Sequence, residues 1–201
     1  LSVLYDGTFA DNAFNGTFRT AGAAFKASAQ GGLDLAGNEA DALHIKATLL
    51  QPQRLIATPE LAGVDIDATL DGAFDDLTIE HKVAVARMKL GTLDAQGLQT
   101  VGTATWDGKR FVLPLAVTAK AVVTGNAMID PRFPGARIGG DLVFEGNRLA
   151  SDDLTLTMKG LGARLSLRGD MARGGYALAG PVVARGFAVE NLGAVDGTAK
   201  I

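Results

Sequence analysis

The chain contains no cysteine, only 1 Trp, 2 Tyr and 9 Phe, and no long uncharged apolar run. The missing cysteine excludes a disulfide scaffold, thiolate metal sites and a cysteine nucleophile, and leaves the redox compartment open. The few large aromatics argue against an ordinary thick core, which relies on such side chains. The longest apolar runs, Phe111–Ala119 and Gly174–Ala184, fall short of the roughly 20 residues of a spanning helix. No signal peptide opens the chain. A net charge of −3, with lysines and arginines scattered singly, offers neither the basic stripe nucleic acid requires nor a polybasic membrane patch.

Present instead are 26 glycines in 201 residues, beside 47% hydrophobic and 20% charged residues. That composition belongs to a folded chain of many short strands and turns, lined by medium-sized aliphatics. Alternation of period two recurs from end to end. Val64, Ile66, Ala68 and Leu70 alternate with Asp65, Asp67, Thr69 and Asp71. Leu77, Ile79, His81, Val83 and Val85 share a parity, as do Phe111, Leu113, Leu115, Val117 and Ala119. Leu142 and Phe144, Tyr176 and Leu178, and Phe187 and Val189 continue the series.

In SDDLTLTMKGLGARLSLRGDM, Leu154, Leu156 and Met158 alternate with threonines, and Leu165 and Leu167 with Arg164, Ser166 and Arg168. The parity changes around Gly160, which predicts a bend or tight reversal keeping both runs on one face. Turn signals separate the runs: Asp71-Gly72, Asp107-Gly108, Gly125-Asn126, Gly146-Asn147, Gly174-Gly175 and Asp196-Gly197. Asn38–Leu50 fits a capped helix or a strand, and its strand-like neighbours favour the strand. Gln51–Leu61, with Pro52 and Pro59, reads as an irregular connection. The expectation is one all-β unit over 1–201 with little helix. It begins at Leu1 rather than Met and ends within a pattern, as a piece of a longer protein would.

Catalytic and metal motifs are weak. His44 falls on a polar parity and reads as solvent-facing; His81, on the apolar parity, reads as a satisfied core histidine. Ser2, Ser28, Ser151 and Ser166 stand in no GxSxG elbow. Asp65–Gly72 lacks the turn glycine of a calcium loop, with Leu70 in its place. GGDLVF (Gly139–Phe144) is not a calcium repeat, and KGLGAR (Lys159–Arg164) has no helix to present amides to phosphate. Asn15-Gly16-Thr17 fits a glycosylation sequon, a pattern that arises often by chance. No active site, metal or cofactor is expected.

An apolar strand face needs a cover: a second sheet, a helix layer, its own curl, or a ligand. A compact sandwich competes with an elongated, curled antiparallel sheet forming a hydrophobic trough. In the trough reading the lining residues are Leu113, Leu115, Val117, Leu142, Phe144, Leu154, Leu156, Met158, Leu165 and Leu167. Their bland alternative is ordinary core packing. A greasy, unspecific trough suits acyl chains.

The stretch from Gly102 to Asp170 resembles the periplasmic part of AsmA-like envelope proteins, and within them the YdbH-type intermembrane phospholipid transport proteins, with the TamB type as near kin. Tyr176–Ile201 (YALAGPVVARGFAVENLGAVDGTAKI) carries similar turns. The resemblance implies a curled sheet whose groove shields phospholipid between the two membranes of a Gram-negative cell. It further implies a periplasmic location, a tether to the inner membrane by a segment outside this chain, and protein partners at either membrane. Its alternative within the family is a TamB-type assembly factor for outer-membrane proteins. A secreted β-solenoid adhesin, a third possibility, calls for aromatic platforms or strict repeats, and the sequence has neither.

Overall fold

A computed structural model describes residues 2–54, 59–127, 130–189 and 193–200, and the backbone alone for 132, 187–189 and 193–195. The sequence alternation becomes one antiparallel sheet. Its first eight strands form a meander: β1 (Ser2–Ala10), β2 (Ala13–Ala21), β3 (Phe25–Asp34), β4 (Glu39–Leu49), β5 (Glu60–Ala73), β6 (Asp76–Leu90), β7 (Leu93–Trp106) and β8 (Arg110–Thr118). The short β9 (Ala121–Val123) continues beside β7 where β8 leaves off. Then come β10 (Arg137–Glu145), β11 (Arg148–Met158), β12 (Leu161–Asp170), β13 (Gly175–Ala179), β14 (Pro181–Val189) and β15 (Gly193–Lys200). Both β13 and β14 pair with β12, at opposite ends of it. Helix is confined to two 3₁₀ turns, Pro52–Arg54 and Asp130–Arg132, among the described residues.

Local chemistry sets the reversals. Asp11 and Asn12 both take positive φ, 51° and 62°, the geometry of the two-residue hairpin turn that matches strand twist. Lys159 and Gly160 make a two-residue reversal of a different type, with Gly160 alone of the pair at positive φ (74°) and Met158 opposite Leu161; this is the tight reversal the parity change predicts. Asp34 and Asp107 accept from the amides two and three residues on, at 2.7–3.0 Å, closing their turns from within. The Asn38–Leu50 segment is strand β4. Within Gln51–Leu61, strand β5 already begins at Glu60, and residues 55–58 lie outside the described ones.

Two predicted turns are corrected. Asp71-Gly72 lies inside β5 and Asp196-Gly197 inside β15. Each aspartate instead holds a register shift in the neighbouring strand. Asp71 Oδ1 accepts from the Ala42 amide at 3.0 Å, and Asp196 Oδ1 from the Gly186 amide at 2.5 Å. Asp153 does the same for Asp141 at 3.1 Å. A bulged residue leaves the ladder, so its amide needs another acceptor; a short carboxylate on the adjacent strand provides one. These bulges bend the strands and give the sheet its curl.

The loop from β8 to β10 is held by Asp130. Its carboxylate accepts from the Thr124 amide and hydroxyl, both at 2.7 Å, and from the Gly125 amide at 3.2 Å. The Thr124 bonds, first among the causes, hold its pKa below the ordinary 3.8. Because the folded value lies below the unfolded one, this stabilisation is present above pH 3.8 and lost as pH falls through the lower folded value. Hydrogen exchange, corrected for intrinsic rates, should show Thr124 protected at neutral pH and released on acidification below that point. An Asp130→Asn chain should lack the acid step; identical profiles for the two would contradict this role.

Candidate functional site

In an antiparallel ladder, directly opposed residues project to the same side of the sheet, and so do residues two apart. The register therefore defines each face. Leu113 opposes Leu142, Val117 opposes Ile138, and Phe111 opposes Phe144. Ile138 in turn opposes Leu156, and Phe144 opposes Leu149. Leu154 opposes Leu165, Leu156 opposes Ala163, and Ser151 opposes Leu167. All ten predicted lining residues, Leu115 and Met158 included, project from one face. The sequence reading stops short of its extent, since Leu43, Ile45, Val64, Ile66, Ile79 and Val83 of β4–β6 continue the face in register. Phe187 and Val189 fall where side chains lie outside the described residues.

No second layer lies over this face among the described residues; every strand belongs to the single sheet. Nine of the ten lining residues are half-buried, and Met158 is 9% exposed. The opposite face carries the exposed residues of the alternation, such as Thr155, Thr157 and Arg164. The apolar face is thus the less exposed of the two along these strands. The total accessible surface is 12337 Å² for 20.7 kDa, against about 8,900 Å² for a compact monomer of that mass. No large side chain is fully buried among the described residues. The thin sheet leaves its apolar side only partly covered, unlike the compact sandwich.

The scarce aromatics are gathered along one rim. A single row of cross-strand partners runs through twelve strands: Phe9, Phe14, Leu33, Ala40, Gly72, Leu77, Trp106, Phe111, Phe144, Leu149, Gly169 and Tyr176. Half of the chain's aromatic residues stand in it. The Phe111 and Phe144 rings are 6.0 Å apart and tilted by 45°, and Trp106 Nε1 donates to the Phe74 carbonyl at 2.9 Å. Farther along the same face one row carries smaller groups, Thr20, Ala27, Ala47, Ile66, Val83 and Thr100, and the next carries Phe25, Leu49, Val64, Val85 and Leu98. The aromatic bulk of the apolar surface is thus concentrated at one rim.

His81 stands on this face between Ala68 and Gly102. Neither ring nitrogen has a hydrogen-bond partner, and both are shut off from solvent, so the satisfied histidine expected from sequence is corrected. The ring fits because Gly102 lacks a side chain; a β-carbon there would lie 3.2 Å from Cε1 of His81. His44, on the polar face, pairs with Asp67 at 2.6 Å. No group of three metal-ligating side chains gathers among the described residues, and no helix of the described residues is long and apolar enough to cross a membrane.

Fold and site together define a class: a single open, curled antiparallel sheet with one apolar face and one polar face. Compared with protein-family models, curated proteins and solved structures, the chain matches none.

Proposed function

We propose that this chain is a lipid-carrying segment of an intermembrane bridge in a Gram-negative envelope. Acyl chains lie against the apolar face while headgroups remain in water at its margin. The observation that carries this reading is the continuity of the face: one apolar side, in register across the sheet, half-buried at nearly all its predicted lining positions and without a covering layer among the described residues. The transfer of each CH₂ from water is worth about 0.8 kcal/mol, so a 16-carbon chain carries a penalty of about 12 kcal/mol that such a surface relieves. The resemblance of Gly102–Asp170 to YdbH-type proteins supports the same reading. With it come a periplasmic location, a tether outside this chain and protein partners at each membrane. The transport needs no catalytic residue.

Photocrosslinking tests it. A photoreactive residue at Leu115 or Leu156 should label phospholipid in cells, whereas one at Thr155, on the polar face, should not. Absence of lipid adducts from all ten lining positions would sink the proposal.

A second reading, the TamB-type assembly factor, is favoured by β1. Among the described residues this strand leaves one edge unpaired, and Val3, Leu4, Tyr5 and Phe9 on it are exposed. A free, apolar edge is a template for another strand. Copurification with an outer-membrane barrel, without lipid, would select this reading over the first.

A further inference from the structure

The polar face of β1–β7 carries an open hollow of about 1000 Å³. Its lining places cations on neighbouring strands. Arg19 opposes Ser28, and Ser28 opposes Lys46. Lys26 stands two residues from Ser28 on the same side of β3, opposite Thr48. Three cationic residues thus neighbour Ser28 on one face, and Lys82 joins the lining from β6.

The carboxylates of the hollow offset only part of this charge, since Asp67 stands opposite both Lys46 and Lys82 while Arg19 and Lys26 oppose no carboxylate. Asp67 is engaged by His44 at 2.6 Å and by Lys46 at 3.7 Å. Asp65 accepts from the Thr48 hydroxyl at 2.7 Å. Arg19, Lys26 and Lys82 take part in no ion pair among the described residues. In a chain of net charge −3, such a gathering runs against the bulk composition. Arg19 and Lys26 stand diagonally across β2 and β3, and a bound anion offsets the repulsion between them.

We propose that this hollow binds a phosphate ester. Arg19 meets two phosphate oxygens through its planar fork, Lys26 acts as a point charge, and the Ser28 hydroxyl donates to a third oxygen. The volume exceeds that of a bare phosphate. Leu4, Ala21 and Ala84, with Gln99 at the far side, receive an organic part the size of glycerol or a sugar. The site lies on the face opposite the apolar one and shares no side chain with the ten lining positions, so it stands or falls separately from the lipid reading.

Calorimetric titration of the delipidated protein at low salt, with glycerol phosphate, inorganic phosphate and phosphatidylglycerol vesicles as probes, tests it. Glycerol phosphate should bind more tightly than inorganic phosphate. Binding should weaken about tenfold in an R19Q/K26Q double variant, and further with added salt as the charges are screened. A K109Q/R110Q double variant, an equal change of charge at the β7–β8 turn, should leave it unaltered. If only vesicles bind, and the double variant abolishes that, the ester is a lipid headgroup; if soluble glycerol phosphate binds, it is a free ester. Either outcome supports the site. No binding of any probe, or binding insensitive to R19Q/K26Q in a folded protein, overturns it. Loss of lipid crosslinks at the apolar face with phosphate binding intact would remove only the lipid reading.

Discussion

Leu156→Glu is expected to cut the lipid retained by the purified protein about tenfold or more while the empty sheet stays folded. The two halves of that result separate a groove from a core. Leu156 opposes Ile138 on one side and Ala163 on the other, and is half-buried with no layer above it. In a closed core, an unpaired carboxylate would cost several kcal/mol and unfold a marginal domain. On an uncovered face the carboxylate stays hydrated until an acyl chain lies over it. The penalty then falls on binding and not on folding. Circular dichroism melting reports the first quantity and lipid extraction the second. Thr155→Glu, one residue away on the polar face, should change neither. A collapse of the melting temperature with Leu156→Glu would mean the face is packed against something in the empty protein.

Gly140→Val is expected to destabilise the sheet by about 2–4 kcal/mol. Gly140 has φ +116°, and a β-carbon there would lie 2.6 Å from the carbonyl oxygen of Asp153 and 3.0 Å from Cα of Leu154. Both obstacles are backbone, so no side-chain rotation relieves them. The site is also a working part of the fold: the register of β10 with β11 shifts between Gly139 and Val143, and the strand bends there. Urea denaturation should show a lower midpoint with an unchanged slope. Gly175→Ala makes the control, since a β-carbon there meets nothing within 4 Å; it should move stability by less than about 0.5 kcal/mol.

Strands were legible in this sequence because their signal is local. Leu154, Leu156 and Met158 against threonines needs only five residues to state a face, and the parity change at Gly160 needs only a few more. The ten lining positions followed from that alternation and share one face in the structure. Bulges were not legible, because Asp-Gly is chemically fit for two tasks. At Asp107-Gly108 the carboxylate closes its own turn, whereas at Asp71-Gly72 it reaches across to Ala42 on another strand. Only the register distinguishes them. The aromatic rim was hidden for a similar reason. Phe9, Trp106, Phe144 and Tyr176 are far apart in sequence, and their common row arises from the pairing offsets of twelve strands. His81 was placed on the correct parity, but its lack of partners depends on what Ala68 and Gly102 fail to offer, which parity does not carry. The cationic hollow was invisible as well, since Arg19, Lys26 and Lys46 look like scattered solvated charges until β2, β3 and β4 are laid side by side.

Mass spectrometry of the lipids that stay with the purified chain tests the central claim most directly. Phospholipid at about one or more molecules per chain, lost in Leu156→Glu and kept in Thr155→Glu, is the expected result. A folded protein that carries no lipid, or carries the same amount in all three forms, would contradict it.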